Sequence, residues 1–164
     1  AERGFFEDVG VEHKALYRSL QGPVPDGYYT TPIGKARVDR EGSELVVITY
    51  GMGVHWALNA EKDFPGQISI LDLRTLVPLD KEAIFELCKE HSKCLVLTEE
   101  PEQNGFARSV ASLIQENCFE YLDAPVQVMG ALNLPAIPIH STLEKTMLPT
   151  VEKLKSKISA ILAY

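Results

Sequence analysis

Apolar positions fall into two rhythms along this chain. Four short runs, ELVVITY (44–50), ISILDL (68–73), CLVLTEE (94–100) and VQVMG (126–130), are nearly continuous in hydrophobicity and rich in branched aliphatic residues. That is the pattern of strands buried on both faces. Between them apolar residues return every three or four positions, the spacing of one helix face. Val54, Ala57 and Leu58 mark such a face within 54–63, and Pro65-Gly66 closes it. Ile84, Leu87 and Cys88 mark a second in KEAIFELCKEH, with Asp80 as its N-cap. Phe106, Val110, Leu113, Ile114 and Phe119 stripe a third around 105–118. A last helix is expected to start near Pro149, a favoured first-turn residue, and to run through VEKLKSKISAILAY. Ahead of all these, ARVDRE (36–41) alternates weakly, like an edge strand, and the charged stretch 39–44 around Gly42 turns.

Strand and helix in alternation imply parallel pairing, right-handed crossovers and helices on both faces. The expected fold class is therefore α/β: a three-layer α/β/α sandwich, its sheet mostly parallel with one antiparallel edge strand. Residues 1–35 do not share the rhythm. LQGPVPDGYYTTPIGKA carries Pro23, Pro25, Pro32, Gly22, Gly27 and Gly34 without sustained periodicity. It reads as an extended connector from a missing upstream domain, with residues 36–164 as the domain proper.

Composition narrows the function classes. The 164 residues carry a net charge of −7, which speaks against non-specific nucleic-acid binding and suits either a solvated surface or a basic partner. No apolar run approaches a membrane span, and the start of the chain has no secretory pattern. Cys88, Cys94 and Cys118 form no CxxC pair and sit among apolar residues, so they read as small buried hydrophobes in a reducing, intracellular setting.

Several residues are placed for chemistry. Gly51-Met52-Gly53 follows a strand and opens a helix, as in a dinucleotide cradle, and Asp72 ends the next strand at the spacing of a ribose-binding acid. The third glycine position of that fingerprint holds Trp56, so tight-turn packing competes with nucleotide binding. His55 lies in the first helical turn, a place that could suit acid–base work, but no nucleophile or acid is near it in sequence. Glu99 and Glu100 leave the carboxyl end of a strand, where open α/β sheets bind ligands. Adjacent in an extended segment, they point to opposite sides. One of them is expected to pair with an arginine such as Arg74, which could alternatively hold an anionic substrate or tie the sheet to a neighbouring domain. No lipase-type serine elbow, zinc-protease helix, Walker loop or calcium loop occurs. The residues alone yield a fold and no self-sufficient active site.

EHKALYR (12–18), VPDGYYTTPIGKA (24–36), VITYGMGVHWAL (47–58), DLRTLVPLD (72–80), TEEP and NGF (98–106), QENCFEYLDAP (115–125) and LP with EK (148–153) occur in this order. The set resembles the β-subunit portion of thiamine-diphosphate-dependent 2-oxo acid dehydrogenases, closer to branched-chain than to pyruvate members. The resemblance implies a transketolase C-terminal-type domain, part of an oxidoreductase whose intact form holds thiamine diphosphate and magnesium. The pyrimidine-binding domain that activates the cofactor would precede this chain, so the resemblance implies no catalytic, cofactor or metal residue here. It implies subunit assembly with an α portion and a second β portion, and docking of a peripheral-subunit-binding domain of the lipoyl acyltransferase. The matching docking residues are Asp123 and Tyr164; Asp123 could alternatively only shape the Asp-Ala-Pro turn. His55, Arg74, Glu99, Glu100 and Phe106 become possible interface residues. The compartment implied is a bacterial cytoplasm or a mitochondrial matrix. Asn104-Gly105 departs mildly from the Gly-Gly of the family, since Asn also tolerates left-handed geometry. The competing readings are the equivalent domain of a transketolase or deoxyxylulose-phosphate synthase, and a free-standing nucleotide-binding domain built on the GMG turn.

Overall fold

The structure, a computed structural model, describes residues 13–19, 22 and 25–164. The chain divides into two compact units, Ala1–Thr30 and Thr31–Tyr164. In the first, one short helix, α1 (Leu16–Ser19), precedes a bend in which Gly27 takes φ 91°. The remainder of the 1–35 connector and of EHKALYR lies partly outside the described residues.

The second unit is the α/β domain. A five-stranded sheet has the order β1 (Arg37–Arg40), β3 (Ile68–Asp72), β2 (Leu45–Thr49), β4 (Cys94–Pro101), β5 (Gln127–Ala131). Only the β1–β3 pairing is antiparallel. The expected sandwich with its antiparallel edge strand is therefore the observed one. Val47 stands opposite Ile70 on one side and Leu95 on the other. Residues of β2 alternate between two apolar layers. Leu45 and Val47 face α2 (Met52–Glu61) and α6 (Val151–Leu162), meeting Ala57, Ala60, Leu154, Ile158 and Ile161. Val46 and Ile48 face α3 (Lys81–His91) and α4 (Phe106–Cys118), meeting Ile84, Cys88, Val110 and Ile114. Burial of both faces explains why these strands read as continuous apolar runs.

Asp80 caps α3 as expected, its Oδ1 accepting the Ala83 N–H at 3.3 Å. Its Oδ2 accepts the Ala36 N–H at 3.0 Å, so the same buried carboxylate fastens the entry to β1. His91 closes α3 with Nδ1 2.9 Å from the Leu87 carbonyl and Nε2 2.8 Å from Ser69 Oγ. That histidine and Ser69 grip the β1–β2 turn through Gly42, where a Cβ would lie 2.5 Å from the Ile68 nitrogen.

Three local expectations need correction. Phe119 is not on the buried stripe of α4: it begins a 3-10 turn (Phe119–Tyr121) and is 69% exposed, because the helix ends at Cys118. The buried stripe is Ala107, Val110, Ala111, Ile114 and Cys118. Pro149 precedes rather than opens α6, whose cap is Thr150 Oγ1 accepting from Lys153 N at 3.3 Å. A further short helix, α5 (Ser141–Met147), was not expected; only Met147 of it is buried, so its sequence carries no repeating apolar face.

Candidate functional site

The candidate residues separate onto the two opposite edges of the sheet. His55, Arg74 and Phe106 follow the carboxyl ends of β2, β3 and β4, and Glu99 and Glu100 lie in the last residues of β4, whereas Asp123 precedes β5 and Tyr164 follows α6. A five-residue strand keeps such edges about 17 Å apart.

At the carboxyl edge, β2 and β4 are neighbours whose following helices lie on opposite faces, which makes this the crevice where such sheets hold ligands. Here the protein's own side chains meet beside that crevice. Tyr50 donates its hydroxyl to Glu100 Oε1 at 3.0 Å, and the Ala107 N–H at the start of α4 donates to the same oxygen at 3.1 Å. The Tyr50 and Phe106 rings meet edge to face, centroids 6.3 Å apart. Asn104 at φ 65° turns the chain, and Gly105 passes so close that a Cβ would sit 2.6 Å from the Pro101 carbonyl. Glu100 is thus a structural cap whose partners are Tyr50 and a helix N-terminus. Burial, and next the Glu100 carboxylate, push the Tyr50 hydroxyl well above its ordinary pKa. Glu99 is half-buried on the alternate side of β4.

Arg74 takes φ 57° and donates its backbone N–H to Asp72 Oδ1 at 3.1 Å. Burial raises the Asp72 carboxyl above its ordinary range, against the opposing pull of that N–H and of Arg37, whose Nη2 is 3.8 Å away. Asp72 therefore belongs to a turn and an ion pair. The ring of His55, half-buried on α2, has no hydrogen-bonded partner among the described residues.

The GMG turn is a corner. Gly51, at φ 58°, starts α2 with no side-chain cap. Gly53 lies directly over Thr49 Oγ1, with which a Cβ would collide. A Cβ on Gly51 would meet nothing within 4 Å, and Glu99 and Glu100 lie at the end of the neighbouring strand β4. Among the described residues, no three metal-ligating side chains converge, and no helix is long and apolar enough to cross a membrane.

The amino edge is different: its polar groups face outward. Asp123 donates its N–H to the Ser92 carbonyl at 2.9 Å, and the Ser92 hydroxyl donates to Asp123 Oδ2 at 2.6 Å. Ser92 is the C-cap of α3, at φ 55° and ψ −11°. Two shallow hollows flank Ala124-Pro125. One, about 220 Å³, is lined by Gln115, Phe119, Leu122 and Asp123; the other, about 170 Å³, by Gln127, Lys157, Ile161 and Tyr164. Lys157 Nζ donates to Gln127 Oε1 at 2.7 Å, Lys93 Nζ to the Leu162 carbonyl at 3.2 Å, and Lys89 lies 5.1 Å over the Tyr121 ring. Sequence reasoning singled out Asp123 and Tyr164 and missed Ser92 and Tyr50. The one available signal was a serine following the helical stripe ending at His91, where a glycine is usual.

The sequence profile described as "Transketolase, C-terminal domain" matches residues 34–154. The 2-oxoisovalerate dehydrogenase subunit beta of Bacillus subtilis (strain 168) is 40% identical over 157 residues, covering 93% of this chain and 48% of that protein. The pyruvate dehydrogenase E1 component subunit beta of the same organism is 40% identical over 127 residues, 75% of this chain and 39% of the relative. Its acetoin:2,6-dichlorophenolindophenol oxidoreductase subunit beta is 34% identical over 155 residues, 93% and 43% respectively. The chain thus spans about half the length of the curated relatives it matches. A solved structure titled "Split gene transketolase, inactive beta4 tetramer" superimposes with a TM-score of 0.65 at 20% identity, covering 79% of this chain and 43% of that one; it supports the fold alone.

Proposed function

Because this chain belongs to the family of transketolase C-terminal domains, we propose that it is the assembly and docking part of a 2-oxo acid dehydrogenase β subunit and catalyses no step by itself. The observation that carries this reading is the contrast between the two sheet edges. At the carboxyl edge Glu100 is consumed by Tyr50 and the start of α4, while at the amino edge Asp123 offers an exposed carboxylate between two hollows. An oxidoreductase of this kind would bring the α portion, the second β portion and the upstream pyrimidine-binding domain to this chain, with residues 1–35 as the connector. Thiamine diphosphate and magnesium belong in this reading to the intact parent, where they supply carbanion chemistry at the 2-oxo carbon.

The docking partner is the peripheral-subunit-binding domain of a lipoyl acyltransferase, a small basic module. A carboxylate facing an arginine or lysine gives a charge-assisted contact of defined direction, and the net charge of −7 steers a basic module to it. Tyr164, 75% exposed, borders the second hollow.

The test is calorimetric titration of this chain with a peripheral-subunit-binding domain, repeated with Asp123→Ala and with Tyr164 removed. The expected result is saturable binding that weakens with salt and falls at least tenfold in Asp123→Ala. Undiminished binding in both variants would refute the assignment of this edge.

A further inference from the structure

Ser92 occupies a conformation that disfavours it. At φ 55° the side chain crowds the following carbonyl, and a helix that ends this way ordinarily places glycine there. The helix cap gains nothing from the hydroxyl. The cap is closed by the backbone, Ser92 N–H to the Cys88 carbonyl at 3.0 Å. A residue held against its conformational preference points to a task for its side chain, and here that side chain reaches one group, the Asp123 carboxylate.

We propose that Ser92 is the positioning residue of the docking site, fixing Asp123 so that Oδ1 is presented to an incoming cation beside the hollow formed with Phe119 and Leu122. This inference rests on the docking reading of Asp123. Two hydrogen bonds in opposite directions, 2.9 Å to the Ser92 carbonyl and 2.6 Å from its hydroxyl, fix both the backbone and the carboxylate plane of Asp123. With Oδ2 occupied, a guanidinium or ammonium approaches Oδ1 from solvent without first ordering the side chain, and avoiding that ordering cost favours binding. The chemistry selects a basic peptide surface carrying one cation and one apolar side chain at its flank. The acids Glu116 and Glu120 lie exposed close by in sequence. Lys89, Lys93 and Lys157 are held by the Tyr121 ring, the Leu162 carbonyl and Gln127 respectively and keep their charge, so a fixed Asp123 carboxylate is the group that offsets them for an incoming cation.

The role makes an unusual demand: stability and binding should move apart. Ser92→Gly removes the hydroxyl and relieves the left-handed strain, so its unfolding temperature is expected to be unchanged or higher. Its affinity for a peripheral-subunit-binding domain is expected to fall about tenfold, the effect of losing a hydrogen bond to a charged group. Added to Asp123→Asn, Ser92→Gly should weaken binding no further. Ser92→Asn, which tolerates the left-handed turn and offers an amide donor, should recover part of the loss. Ser92→Gly binding as tightly as the wild type, with Asp123→Asn still weakened, overturns the role of Ser92 and leaves the docking reading intact. Additive losses in the double variant also overturn it, because Ser92 would then act independently of Asp123. Absence of binding by the wild type overturns both.

Discussion

Asp80 joins two jobs in one carboxylate, and the two can be separated by substitution. Asp80→Ala removes the acceptor of the Ala83 N–H, an N-cap loss of about 1 kcal/mol. It also strands the Ala36 N–H, which now meets Oδ2 at 3.0 Å. Ala36 is only half-buried and can recruit water, so the lower end of an orphaned donor's cost applies, about 1 kcal/mol. Lys35, 66% exposed and 3.8 Å away, adds nothing measurable. The expected loss for Asp80→Ala is therefore about 2 kcal/mol, or roughly 6 °C in a chain of this size. Asp80→Ser keeps a capping oxygen but is too short to reach Ala36, so about half the loss should remain. Urea unfolding followed by far-ultraviolet circular dichroism at neutral pH reads both. Equal midpoints for the Ala and Ser variants, or a loss below about 0.5 kcal/mol for Ala, would refute the double role.

Two further outcomes follow from the carboxyl edge. Gly53→Ala drives a methyl into Thr49 Oγ1 and to 3.4 Å from the Leu97 carbonyl, so an overpacking cost of about 2 kcal/mol is expected, partly recovered by adding Thr49→Ala; denaturant midpoints check it. Tyr50, held above its ordinary pKa, keeps its proton in the folded chain while the unfolded chain releases its own from about pH 10 upward. Stability then falls as pH rises above about 10, by about 1.4 kcal/mol per pH unit while only the unfolded chain releases the proton, over a window that solvent screening narrows at this half-buried site. Tyr50→Phe should flatten the alkaline limb of a stability–pH profile, and an identical limb in both proteins would show that Tyr50 is not its source.

The residues that declared themselves in sequence were those whose role is local. Asp80 precedes a helical stripe, and a cap needs nothing but its own helix to be recognised. The runs 44–50, 68–73 and 94–100 declared buried strands because both faces of β2, β3 and β4 are covered. What escaped depends on residues far apart in the chain. Tyr50 and Glu100 meet across fifty positions, and Ser92 and Asp123 across thirty-one. Neither pair leaves a periodic trace. Charge suggests an arginine for one of Glu99 and Glu100, whereas the fold gives Glu100 a phenol and a helix start. The spacing of Phe119 continues the stripe of α4 in sequence. The helix stops at Cys118, and a period has no meaning beyond the last turn.

The central strand raises a problem of phase. From Leu45 to Thr49 every residue of β2 is wholly enclosed, so hydrophobicity alone does not say which side chain belongs to which layer. In a half-exposed strand a slip of one residue would push apolar groups into water; here it would merely exchange one oily environment for the other. Thr49 and Gly53 remove that ambiguity by shape. The threonine hydroxyl, buried without a hydrogen-bond partner among the described residues, stands like a peg against the bare Cα of the glycine. Sliding the strand by one place would bring Ile48 or Tyr50 under that notch, and neither fits. The small residues of this turn therefore act as an index mark, setting the strand's position relative to the helix that follows, and with it the heights at which Glu100 and Ser92 emerge at opposite ends of the sheet.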